Sequence, residues 1–254
     1  MVFDSHAHLD HRRFDSDRAE VLASLAEAGV SRVMNVGCDL TSSMKSIALA
    51  EKYPFVWASV GSHPDDAANF TEATLAMYRQ LAQNPRVKAI GEIGLDYYYD
   101  DNPPEIQKPC FIRQMELAAE LDLPVIVHDR DAHRDVLDIV SRFPTVKGVF
   151  HCYSGSAEMV KEVVKLGWYV GFTGVVTFKN ARKAVEAVQA VPLDRILAET
   201  DCPYMAPEPH RGKRCDSSLV PLTVEKMAAI RGISFGEMAA AVTENAMRLF
   251  RIPE

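Results

Sequence analysis

The chain has 254 residues, 48% of them hydrophobic, with a formal net charge of −7. That is one large domain or two small ones with ample material for a core, and the acidity excludes a surface that grips duplex nucleic acid broadly through charge. Five cysteines without CxxC spacing (Cys38, Cys110, Cys152, Cys202 and Cys215) point away from a disulfide framework or a zinc knot and toward a reducing cytosol.

Strand-like and helix-like runs alternate along the chain. Val2-Phe3 opens a strand, and a helix over 19–28 is stopped by Gly29. A strand over 32–37 precedes a helix over 42–52. A strand over 55–61 precedes a helix over 71–83, whose start suits Thr71 and Glu72. Next come a strand at 87–92 with a long helix at 105–121, and a strand at 124–128 with a helix at 132–142. A strand at 146–151 is followed by a helix at 157–166, closed by Gly167. Strands at 168–174 and 195–201 flank a helix at 181–190, and helices at 220–231 and 235–249 follow a polar loop. Eight strand–helix units predict an α/β fold, a (β/α)8 TIM barrel with an extra C-terminal helix, in a single domain over 1–254. A doubly wound open sheet is the alternative.

The N-terminus lacks a basic region followed by a long apolar stretch, so no secretory signal is expected. No run of about 18 apolar residues predicts a membrane helix. A cytoplasmic monomer is the expectation, since a barrel needs no partner to close.

Six imidazoles and carboxylates sit at the ends of these strands: His6, His8, Glu92, His128, His151 and Asp201. Alternation along an extended strand points His6 and His8 to one face. Alone, such a pair is as often two surface histidines. Barrel enzymes keep their sites at the C-terminal strand ends, and there all six would converge. The set exceeds what one tetrahedral catalytic zinc uses, whereas two metals about 3.5–4 Å apart would share it. His6, His8 and Asp201 are assigned to one metal, His128 and His151 to the other, with Glu92 as the bridge. Asp201 is also expected to accept a proton from the attacking water. Zinc, magnesium, manganese, cobalt and nickel all suit mixed imidazole and carboxylate ligands.

At these residues the chain resembles the TatD family of metal-dependent deoxyribonucleases. The matching segments are FDSHAHLD, GEIGLDYYYD, LPVIVHDRDA, FHCYSGS and ETDCPYMAPEPHRGKR, in this order along the whole chain. The resemblance implies a TIM barrel of the amidohydrolase type, two divalent metals on the six residues named, and a phosphodiesterase acting on DNA. One departure is visible. The family commonly continues HRGKR with Asn-Glu-Pro, where this chain has Cys215-Asp216-Ser217-Ser218.

Four further residues are expected to touch substrate. Arg211 and Arg214, in the loop after the eighth strand, would contact phosphate through the guanidinium fork, the alternative being a solvated charge run. Arg130 would clamp a phosphate or pair with Asp129 or Asp131. His63 would hydrogen-bond a phosphate oxygen or pack against Pro64. Of Tyr97, Tyr98 and Tyr99, one or two would pack under their loop and the rest could stack on unpaired bases. Glu199 is expected to pair within the interior. Cys152 and Cys202 are expected to be buried small residues, not nucleophiles.

The predicted activity is metal-dependent hydrolysis of phosphodiesters, as an exonuclease on single-stranded or frayed DNA. The alternatives are hydrolysis of a carbonyl ester or amide, such as aminoacyl-tRNA deacylation, and a non-catalytic metal-binding scaffold.

Overall fold

Residues 1–99 and 101–253 are described by a computed structural model. Eight parallel strands pair in sequence order: Val2–Ala7 (β1), Val30–Asn35 (β2), Val56–Val60 (β3), Val87–Asp96 (β4), Val125–Arg130 (β5), Gly148–Phe150 (β6), Tyr169–Phe172 (β7) and Ile196–Ala198 (β8). Between and after them run Arg18–Ser24 (α1), Leu40–Lys52 (α2), Glu72–Leu81 (α3), Pro104–Leu121 (α4), His133–Val140 (α5), Ala157–Lys165 (α6), Arg182–Ala190 (α7), Val220–Arg231 (α8) and Phe235–Phe250 (α9). The sequential order of the strands confirms the TIM barrel and removes the doubly wound sheet, whose strand order reverses.

Local sequence starts several helices. Asp39 with Ser42, Thr71 with Thr74, and Ser234 with Glu237 each form a reciprocal capping box. Strands such as Val125-Ile126-Val127 are buried on both faces, so they read as apolar runs and not as alternations.

The main core lies between the strands and the surrounding helices. A second apolar cluster fills the barrel: Phe3, Met34, Ala89, Ile126, Val149 and Leu197 meet Leu249 and Phe250 of α9. The rings of Phe3 and Phe250 lie 6.1 Å apart. The extra C-terminal helix is therefore the plug of one end, which leaves the opposite end open for polar chemistry.

The seam between β8 and β1 closes above the regular strands. The Asp201 amide donates to the His6 carbonyl (2.9 Å) and the His8 amide to the Cys202 carbonyl (2.9 Å). Strand lengths depart from expectation here. β6 and β8 stop at Phe150 and Ala198, short of His151 and Asp201, and Cys152 and Asp201 adopt left-handed backbone (φ 43° and 54°). Leaving the ladder turns these side chains inward. β4 instead runs on to Asp96, four residues past its expected end. Gly94 permits this, because a Cβ there would lie 2.0 Å from the His128 carbonyl oxygen.

Candidate metal centre and cleft

Two strands at the seam set the first candidate ligands. The buried Asp4 carboxylate accepts from the Thr200 amide (2.9 Å) and the Thr200 hydroxyl (2.6 Å), tying β1 to the segment after β8. Burial pushes the Asp4 carboxyl up to about 7. The β1 register shifts between Asp4 and Ala7, and across the shift the His6 and His8 Nε2 atoms face each other at 3.0 Å. Asp201 Oδ1 lies 3.5 Å from His8 Nε2 and 3.8 Å from His6 Nε2.

Glu92 divides the site. Its Oε2 faces the His6 and His8 nitrogens at 3.4 and 3.6 Å. Its Oε1 faces His151 Nε2 at 2.7 Å, His128 Nδ1 at 2.9 Å and His63 Nε2 at 3.6 Å. Burial opposes ionisation of this carboxyl, but His151, His63, His6 and the contact with His128 hold it well below the usual carboxylate range. Four of the strand-end residues named from the sequence, His6, His8, His128 and His151, thus meet around a fifth, Glu92, and Asp201 joins them through His6 and His8.

With its imidazoles neutral, the cluster offers the donor set of a cation site. His8 Nδ1 lies 2.9 Å from the Val36 carbonyl oxygen, which can only accept. The neutral ring therefore carries its proton on Nδ1 and presents the Nε2 lone pair to the centre. His128 Nε2 lies 2.9 Å from Asp96 Oδ2, so a ring that gives up its Nδ1 proton to a cation keeps the one on Nε2 and turns Nδ1 toward Glu92. Lone pairs and carboxylate oxygens then face one another at close range, an arrangement that a divalent cation satisfies. The ligand atoms of His6, His8 and Glu92, and those of His63, Glu92 and His128, each lie within 4.8 Å of one another. The residues present fit a divalent metal.

Supporting groups lie just behind the ligands. Glu199 is fully buried, with Oε1 3.6 Å from His151 Nδ1 and Oε2 accepting from the Ser5 hydroxyl at 3.3 Å. This is the interior pairing expected for it. A Cβ on Gly171 would sit 2.5 Å from Glu199 Oε2, so glycine is what lets the carboxylate fit. Cys38 and Asp96 escaped the sequence reading. Cys38 Sγ lies 3.5 Å from Glu92 Oε2, with its thiol pushed up to about 12 by burial. Nothing in the spacing of Cys38 signals this. Asp96 had a signal, since it lies four residues after Glu92 on the same strand parity.

The substrate contacts expected from the sequence divide. The centre opens into a cavity of about 1270 Å³ whose lining includes His63, Arg130 and Tyr99. His63 Nδ1 accepts from the Asp65 amide at 3.2 Å, so its proton sits on Nε2 and points into the site. Nε2 lies 3.6 Å from Glu92 Oε1, so the ring faces the centre whether or not it also packs against Pro64. Arg130 forms neither expected ion pair among the described residues. Its guanidinium lies over the rings of Tyr98 (4.0 Å) and Tyr99 (4.8 Å).

Arg214 is a correction. It does not reach the cavity but pairs with both oxygens of Asp17, donates to the Arg13 carbonyl at 2.7 Å and covers the Phe14 ring. Arg211 lies over the Phe178 ring at 4.1 Å, also outside the cavity lining. Both lie in a loop whose cis Glu208–Pro209 bond and turns the composition alone did not reveal. Tyr97 packs under its loop with its hydroxyl on Asp135 (2.7 Å), as one of the three was expected to do. Cys202 is fully buried, as expected. Cys152 is not: it lines the cavity, because the chain has left the strand where alternation would have turned it away. Its thiol is still pushed up to about 12 by burial, which leaves it a poor nucleophile.

A family model described as TatD related DNase matches residues 3–251. The chain is 44% identical over 254 residues to the Bacillus subtilis (strain 168) protein named "Uncharacterized metal-dependent hydrolase YabD", covering 99% of this chain and 100% of that one. It is 34% identical to the "3'-5' ssDNA/RNA exonuclease TatD" of Erwinia tasmaniensis, again covering 99% and 100%. The crystal structure of YJJV, a TatD homolog from Escherichia coli K12, superposes with a TM-score of 0.94 at 30% identity, over 99% of this chain and 98% of that chain.

Proposed function

This chain belongs to the TatD-related DNase family of metal-dependent hydrolases, and we propose that it is an exonuclease that cleaves phosphodiesters at the unpaired ends of nucleic acid. The observation that carries the reading is the split of Glu92, with one oxygen turned to His6 and His8 and the other to His128 and His151. Two cations would be held there, one by His6, His8 and Asp201 and the other by His128 and His151, with Glu92 reaching both. Divalent cations there supply Lewis acidity and acidify the attacking water.

The protein's own groups do the rest. Asp201 would take the proton as the water oxygen bonds to phosphorus, while the P–O bond to the leaving nucleoside oxygen breaks and that oxygen takes up a proton from solvent. Although burial opposes it, His8, His6 and His151 hold this carboxyl below its ordinary range, so it is ionised and able to accept. His63 Nε2–H donates to a non-bridging oxygen.

The cleft supports attack at an end. Its lining from the β2 and β3 loops carries Asp39, Asp65 and Asp66, while the lining from β5 and α7 carries Arg130, Arg182 and Lys183 beside Asp129. A polyanion is drawn along the second wall and repelled by the first, so a strand that ends at the centre is favoured over one that passes through it. The naming of the Erwinia relative agrees with this substrate class.

The test is release of nucleotides from 3′- or 5′-labelled single-stranded DNA with magnesium or manganese, in wild type, Glu92→Ala and Asp201→Ala. Metal-dependent release that vanishes in both variants supports the assignment and identifies the end attacked. Absence of release by metal-loaded wild type would sink it and favour a carbonyl ester such as an aminoacyl end.

A further inference from the structure

Two large aromatic side chains stand exposed at the mouth of the cleft. Tyr98 and Tyr99 are 58% and 49% exposed, whereas their neighbour Tyr97 is packed down. Their rings meet edge to face at 4.9 Å, and the Arg130 guanidinium lies against both. Tyr99 and Arg130 line the same cavity as Glu92.

This group is fixed to the reaction centre by one carboxylate. Asp96 Oδ1 accepts from the amides of Tyr98 (2.9 Å) and Tyr99 (3.1 Å), while Oδ2 holds His128 Nε2 at 2.9 Å. The tyrosines are therefore set at a constant offset from the scissile position.

From this geometry we propose that Tyr98, Tyr99 and Arg130 form a stacking platform for the nucleobase beside the scissile phosphodiester. The proposal rests on the nuclease reading above and adds the groups that select an unpaired base. A ring face and a guanidinium plane are the surfaces on which splayed bases stack, and stacking tolerates any base. A paired base buries its faces in the duplex and cannot use them. The platform thus selects single strands through the base, whereas the metal centre handles only the phosphate.

The experiment compares an oligonucleotide with intact ends and one carrying abasic nucleotides at both ends. Wild type, the Tyr98→Ala/Tyr99→Ala double variant and the Tyr98→Phe/Tyr99→Phe double variant are measured with manganese. The wild type is expected to favour the intact strand by at least about fivefold in kcat/KM, carried by KM. The alanine variant brings this ratio toward one and the phenylalanine variant restores it. Equal kcat/KM for the two strands in wild type, with both still hydrolysed, overturns the platform and leaves the phosphodiesterase standing.

Should neither strand be hydrolysed, the nuclease reading fails, and equilibrium binding of the same two strands by fluorescence anisotropy then decides the platform. Tighter binding of the intact strand that the alanine variant abolishes supports it. Equal binding of the two strands overturns it.

Discussion

Asp96 grips His128: carboxylate Oδ2 and imidazole Nε2 lie 2.9 Å apart, which fixes the ring's tautomer and aims Nδ1 at Glu92. Burial opposes protonation of this ring, yet the bonds to Asp96 and Glu92 raise it to about 9. Carboxylates behind ligand histidines raise ligand basicity and commonly govern affinity about 10–100-fold. Asp96→Ala is therefore expected to weaken divalent-cation binding by that factor, measured by competition with a fluorescent chelator. Unchanged affinity would remove Asp96 from the metal site.

Glu92→Gln replaces one of two facing oxygens with an amide nitrogen, which cannot bind a cation. The variant is expected to bind one equivalent of manganese in place of two, counted by mass spectrometry of the dialysed protein. Diesterase activity should fall by at least about a hundredfold. Retention of two equivalents with full activity is the result that defeats the bridging role.

Asp4 links pH to stability. Burial raises its carboxyl to about 7, against 3.8 for an exposed one, so the native state keeps a proton that the unfolded chain releases. The stability it contributes is full below the lower value and is lost as pH rises through the higher. The loss amounts to something on the order of 4 kcal/mol. Urea midpoints of chelator-treated protein should fall more between pH 5 and pH 8 in wild type than in Asp4→Asn. Parallel profiles would show that Asp4 is ionised in the fold.

Arg214 serves the fold through Asp17, so Arg214→Ala is expected to lower the unfolding midpoint slightly and leave KM for an oligonucleotide as it was. A marked rise in KM would return this arginine to the substrate.

The α9 plug is a stability element. Phe250 is 1% exposed and packs on Phe3 inside the barrel. Phe250→Ala should cost about 3–5 kcal/mol in chemical denaturation, with bound metal retained at low denaturant. Loss of less than about 1 kcal/mol would mean that the helix end is not part of the cooperative core.

Much of the site was legible because barrel chemistry is written at strand ends. The apolar runs before Glu92, His128 and His151 mark buried parallel strands, and polar residues that end such runs have one open face to occupy. Helix positions were legible from caps such as Thr71 and from periodicity. The strand boundaries were not, because β6 and β8 end before the left-handed turns at Cys152 and Asp201, and such turns have no period.

The sequence by itself determined the eight-unit order, the barrel, the six strand-end candidates and the family, all of which rest on residue type and periodicity. Only the tertiary structure decided which groups stand beside those ligands. Asp96 and Cys38 come to Glu92 and His128 through strand pairing, Arg214 is drawn to Asp17 across nearly the whole chain, and Arg130 meets the tyrosines of another loop. Such contacts join segments with no local relation in sequence, so their chemistry exists only once the barrel has closed.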